Sequence, residues 1–191
     1  IIKYIANAFA IFLIVTIIFS ILSVGYGILI AVGVINKQEN KISENLITIS
    51  DNIDEISTLK LDIKASDLQI KNGKKFEVKT NNSNIKYSNE NGKVSVKEEG
   101  MFKWHLGKNY EGTVIIYLPE DMEQIEEVKM DIGAGTIFIE NLKTKNLYFE
   151  LGAGNVTIDS MTVSKKMRLN GGAGNIEINS GKIANADVDL G

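Results

Sequence analysis

Between residues 128 and 191 one phrase occurs three times and begins a fourth. It reads DIGAGTIFIE from Asp131, ELGAGNVTID from Glu150, NGGAGNIEIN from Asn170 and DLG from Asp189. The copies start 19, 20 and 19 residues apart. A fixed period near twenty residues marks a stacked architecture in which no unit buries its apolar face alone. Few other properties of a chain restrict its fold so tightly.

Each copy holds two alternating runs joined by a glycine corner. Val128, Met130 and Ile132 alternate with Lys129 and Asp131, and Ile137 and Ile139 alternate with Thr136, Phe138 and Glu140. Alternation of period two is a strand with one buried face, and the β-branched content agrees. Gly133 and Gly135, Gly152 and Gly154, and Gly172 and Gly174 are the corner glycines, expected where the backbone turns sharply into φ > 0. Stacking would place Met130, Phe149, Leu169 and Val188 in one inward column, Ile137, Val156 and Ile176 in a second, and Ile139, Ile158 and Ile178 in a third. Like strands would run parallel, about 4.8 Å apart, with a right-handed sense. The extra residue of the longer rung falls between Met161 and Met167. The fold class is therefore all-β: a single-domain parallel β-solenoid, a right-handed β-helix or β-roll, behind an N-terminal transmembrane helix.

The rest of the chain supplies the anchor. No charged residue stands between Tyr4 and Asn36, and the densest apolar part is residues 9–35. That is ample for a membrane helix, which needs roughly 20 apolar residues, and too long for a cleaved signal. Residues 1–36 read as a single-pass, uncleaved anchor, 37–58 as a linker or short helical stalk, and 59–191 as the repeat domain. Lys3 precedes the span and Lys37 and Lys41 follow it; the reading favoured is N-terminus inside and the repeats outside. Ser23, Gly27 and Ala31, four apart, are either ordinary small membrane residues or a helix contact. Ile42, Leu46, Ile49, Ile53 and Ile56 have heptad spacing, although residues 46–49 also read as a first strand. A start at Ile1 and an end inside a repeat read as a chain cut at both ends.

From Leu59 the strand pattern begins, and Asp62-Ile63-Lys64-Ala65-Ser66 stands where Asp131 to Gly135 stands later. Further strands are expected at 75–80, 84–88, 93–97 and 113–118, with Asn72-Gly73 and Asn91-Gly92 as hairpin turns. Residues 100–112 break the pattern and carry Phe102, Trp104, His105 and Tyr110; Pro119 and an acidic corner at 120–127 follow. Phe102, Trp104 and Tyr110 are a candidate interaction patch or, alternatively, a plug for the end of the stack.

At Val114-Ile-Ile-Tyr-Leu-Pro119, an acidic corner and then Gly-Ala-Gly strand repeats, the sequence resembles a bacterial putative-adhesin family, a domain of unknown function often found behind an N-terminal membrane helix. The resemblance covers residues 59–191. It implies an exported or membrane-attached β-solenoid at the cell envelope and carries no catalytic residues. The chain departs from it at Lys64-Ala65-Ser66, where a glycine corner is lost.

Other chemistry is excluded motif by motif. Gly152 and Gly154 lack the third glycine and the helix of a dinucleotide loop. The Gly-Gly-Ala-Gly run from Gly171 has Ile176 where a calcium β-roll needs Asp. One histidine and no cysteine supply neither a triad nor a metal cluster, and a net charge of −3 argues against nucleic acid. No cofactor or metal is expected, and no enzyme. Two outward rows remain, Asp131, Glu150, Asn170 and Asp189, and Glu140, Asp159 and Asn179; their repulsion is relieved either by neighbouring Lys and Asn or by a hard cation. The sequence thus points to a membrane-anchored binding or structural module whose partner is an envelope protein or wall polymer. A regulatory scaffold in envelope stress, working through the membrane helix, is the alternative.

Overall fold

The computed structural model describes residues 45–191 apart from 54 and 101–111. The described residues form one compact unit, Asn45–Gly191. The expected membrane span, the patch Phe102, Trp104 and Tyr110, and the start of the heptad series lie outside the described residues.

Every regular element described is a strand: β1 (Ile47–Thr48), β2 (Thr58–Ile63), β3 (Asp67–Gly73), β4 (Glu77–Thr80), β5 (Ile85–Glu90), β6 (Lys93–Glu98), β7 (Thr113–Pro119), β8 (Ile125–Ile183) and β9 (Ala186–Leu190). They form one sheet in the order β1-β4-β7-β3-β8-β2-β6-β5, with β9 added to β8. Among the described residues no helix is long and apolar enough to cross a membrane.

β8 holds the three complete repeats in 59 residues of unbroken extended chain. The rung before it is built from β2 and β3. β2 pairs parallel with the first run of β8, Leu59 with Val128, Leu61 with Met130 and Ile63 with Ile132. β3 pairs parallel with the second run, Leu68 with Ile137 and Ile70 with Ile139. The corner between β2 and β3 therefore lies on the corner at Gly133 to Gly135, as the alignment of Asp62 with Asp131 requires. β9 extends the series at the other end, Leu169 opposite Val188.

The columns fill one core. Met130, Phe149 and Leu169 are buried, as are Ile137, Val156, Ile139 and Ile158; Ile176 and Ile178 pack on its margin. Val188, in the last strand, is 51% exposed because no further rung is described beyond it. The extra residue of the long rung falls in the exposed run Ser164, Lys165 and Lys166, opposite a two-residue run at Lys145 and Asn146. Thr144 stands in the column of Val163 and is fully buried; the single proton of its hydroxyl has two carbonyl acceptors within reach, Ile125 at 3.0 Å and Asn146 at 2.9 Å, which is what makes a hydroxyl tolerable there.

Both edges of the sheet are antiparallel: β4 pairs with β7 and β1 with β4 at one, and β5 with β6 at the other. Asn91-Gly92 makes the expected two-residue hairpin between Glu90 and Lys93, both turn residues at positive φ (52° and 79°). Asn72-Gly73 does not make one. β7 lies between β3 and β4, parallel to the first and antiparallel to the second. The reason is its sequence: Val114, Ile115, Ile116 and Leu118 are all buried, so β7 is a central strand apolar on both faces and takes the place beside β3. In the region of heptad spacing, Ile47–Thr48 is strand rather than helix, Ile56 is buried, and Ile49 and Ile53 pack against the core.

Candidate functional site

The glycine corners line a depression in the surface of the stack. A Cβ on Gly133 would stand 2.6 Å from the carbonyl oxygen of Lys64, and Cβ atoms on Gly152 and Gly172 would come closer still to the carbonyl oxygens of Gly133 and Gly152. Real side chains do not fit there, so each corner lies directly on the last. Only the third corner residue needs φ > 0: Gly135 at 139°, Gly154 at 148° and Gly174 at 138°. The expectation of φ > 0 at the first glycine of each pair is corrected accordingly; Gly133, Gly152 and Gly172 serve the stacking alone, while Gly154 and Gly174 serve both, since a Cβ on either would also run into the carbonyl oxygen of Gly135 or Gly154.

Bare backbone at successive corners leaves a shallow trough of about 380 Å³ along the stack. Gly133, Gly152, Gly171 and Gly172 floor it, with Ile132 and Leu151, and Asp131, Glu150 and Asn170 form its rim. The register continues that row to Asp62 on one side and Asp189 on the other. Among the described residues nothing donates a side-chain hydrogen bond to Asp131 or Glu150, and no group of three or more His, Cys, Asp or Glu is placed to hold a metal ion. The rim is thus a row of solvated acceptors at strand spacing, able to receive hydroxyl or ammonium hydrogens from an extended ligand.

The second acidic row is spent internally. Glu140 accepts from the backbone N–H of Asn72 at 3.0 Å and its side-chain amide at 3.2 Å, and the Asn179 amide donates to Asp159 at 3.0 Å. Asparagine amides thus donate to the carboxylates of this row. The outer face between the rows carries its own pairs: the Lys129 ammonium lies 5.6 Å from the centre of the Tyr148 ring, and Arg168 reaches Asp187 at 3.2 Å.

Where the glycine corner is lost, a carboxylate replaces it. Glu98, 5% exposed, accepts through Oε2 from the backbone N–H groups of Lys64 (2.8 Å), Ala65 (2.9 Å) and Ser66 (3.2 Å). Its Oε1 accepts from the Ser66 hydroxyl at 3.1 Å and the Asn82 amide at 2.8 Å. Burial by itself pushes this carboxyl up, but the N–H groups of Ala65, Ser66 and Lys64 and the Ser66 hydroxyl outweigh it and hold it below the usual 4.5. Sequence reasoning passed Glu98 over. The signal was there: Val94 and Val96 set the inward phase of β6, and the next inward position is an acid.

A family model covers residues 43–191, that of Toastrack DUF4097. The chain belongs to the Toastrack DUF4097 family. Among solved structures it is similar to a putative cell adhesion protein from Clostridium sporogenes, at 14% identity, TM-score 0.44, covering 76% of this chain and 97% of that one. A putative adhesin from Parabacteroides distasonis is similar at 11% identity and TM-score 0.41, over 76% of this chain and 70% of that one. A putative lipid binding protein from the same organism is similar at 12% identity and TM-score 0.43, over 78% of this chain and 63% of that one. No curated protein matches the sequence.

Proposed function

We propose that this Toastrack chain is an adhesin-type binding module of the bacterial envelope, a parallel β-solenoid held at the membrane by the apolar segment within residues 1–36 and facing outwards. Its ligand lies along the glycine-floored trough and is an extended wall polymer rich in hydroxyl or amino groups. The observation that carries this reading is the unspent acceptor row: Asp131, Glu150 and Asn170 share one rim while the second acidic row is satisfied internally. Donors recurring along a polymer would meet acceptors recurring along the stack, and many weak contacts would add as avidity. The corner glycines contribute access, not chemistry.

The test is retention of the full chain on purified wall polymer. Asp131→Asn with Glu150→Gln should weaken retention several-fold and leave the melting curve in place, since both side chains are exposed. Unchanged retention would remove the trough as the site. Protease added to intact cells should strip the β unit; full protection would overturn the outward orientation.

A further inference from the structure

Glu98 ends the hairpin β5–β6, and that hairpin closes one edge of the stack. β6 pairs parallel with β2 from Thr58↔Lys93 to Asp62↔Lys97, and Val94, Val96 and Ile85 cover the end of the core. We propose that Glu98 is an acid-released clasp: as a carboxylate it locks the hairpin over the first corner of the stack, and on protonation it lets that end open while the later rungs stay closed.

Each later corner rests on carbonyl oxygens of the corner before it, as the N–H of Ala134 rests on Lys64 at 2.9 Å. The corner at Lys64, Ala65 and Ser66 has no such predecessor among the described residues, and its three N–H groups converge on one side chain. An ionised carboxylate accepts only, with about four lone-pair sites on its two oxygens. Here it receives five. Adding a proton places a sixth donor among them, removes the charge that strengthens each bond, and leaves the half-buried N–H groups of Lys64 and Ala65 and the buried N–H of Ser66 on a weaker acceptor. Separation of the hairpin from β2 is the relief the geometry offers. The other corners are joined by backbone amides and carbonyls, which do not titrate in this range.

The elements around Glu98 carry Lys60, Asp62 and Lys64 on β2 and its corner, Asp67 and Lys71 on β3, Lys86 and Glu90 on β5, Lys93 and Lys97 on β6 itself, and Glu99 beside it in sequence. Lys64 and Lys97 are drawn to Asp62, at 3.6 and 4.0 Å, and Asp67 takes the N–H of Thr136 at 2.8 Å. Lys86 stands opposite Lys97 in the β5–β6 ladder. The donors on the Glu98 oxygens are therefore neutral backbone, hydroxyl and amide groups, and the proton on Glu98 itself sets the transition. Because its folded pKa lies below the usual 4.5, the clasp is at full strength above that value and is lost as pH falls through the lower folded one. What opening uncovers is the paired edge of β2, a ready acceptor for another strand.

The experiment is hydrogen exchange read by mass spectrometry on the full chain, wild type and Glu98→Gln, from pH 7 to pH 3, corrected for intrinsic rates. In the wild type, peptides from residues 58–66 and 85–98 should lose protection as pH falls from 4.5 towards the lower folded pKa, by up to about tenfold per pH unit, the limiting slope of one proton. Peptides from residues 147–169 should keep theirs. In Glu98→Gln the first two regions should be open at every pH, with residues 147–169 still protected. If Glu98→Gln does not fold, the wild-type titration decides alone. The proposal is overturned if all regions lose protection together, if residues 58–66 and 85–98 stay protected to pH 3, or if Glu98→Gln repeats the wild-type profile.

Discussion

A methyl group on Gly152 has nowhere to go. It would meet the carbonyl oxygen of Gly133, and that oxygen belongs to a corner that itself rests on Lys64. The backbone must shift, and the ladder on both sides with it. Gly152→Ala should cost about 1–3 kcal/mol, the usual range for overpacking, and a urea melt of the variant should show the midpoint falling at constant slope. Phe149 and Tyr148 make the opposite pair of tests. Phe149 lies 1% exposed between Met130 and Leu169, whereas Tyr148 faces outward under the Lys129 ammonium. Phe149→Ala should cost about 3–5 kcal/mol and Tyr148→Ala about 0.5. Equal costs in melts of the two variants would mean that the strand register assigned from the repeat is off by one.

Among the elements, those that repeat were legible and those that occur once were not. Three copies of the phrase fixed the phase of β8 before any coordinates, and the lost-glycine copy at Asp62 to Ser66 found its place by the same alignment. The Asn91-Gly92 hairpin was legible because only a turn with two positive φ values favours that pair so strongly. Gly92 stands at φ 79°, with the carbonyl of Glu55 3.1 Å from where a Cβ would be, so Gly92→Val should cost at least about 1–2 kcal/mol in the same melts. Asn72-Gly73 makes no hairpin for a physical reason: a turn signal says that the chain bends, not which strand it meets next, and β7 competes for the place beside β3 through residues 40 or more positions away. The trough was half legible. Its rim was visible as a periodic row, but its depth follows from the corner stacking, and the Glu98 clasp depends on a contact 32 to 34 residues apart in sequence.

For the whole molecule, the same geometry implies that rungs are interchangeable parts. Each one touches only the rung before and the rung after, so stability is close to a sum of units and interfaces. Removing residues 150–169 joins Phe149 to Asn170, and the chain then continues Gly171, Gly172, Ala173, Gly174 in the phase that Leu151 to Gly154 had occupied. Leu169 is lost from the column, but Phe149 meets Val188 in its place, and the corner of Gly172 falls on that of Gly133. The Glu98 end of the stack is untouched. The shortened chain should fold, with a cooperative urea melt whose slope is lower because less surface is exposed on unfolding. Removing residues 150–168 instead leaves Leu169 immediately after Phe149 and shifts everything beyond by one position. Period-two alternation then turns Ile176 and Ile178 outward and Glu177 inward, and the corner glycines no longer face one another. That chain should lose the cooperative melt of its last rungs and associate through the freed strand edges, visible as a larger species in size-exclusion chromatography. If the two deletions behave alike, the rungs are not held by side-chain phase and corner contact, and the account of the stack given by Gly133, Gly152 and Gly172 fails with them.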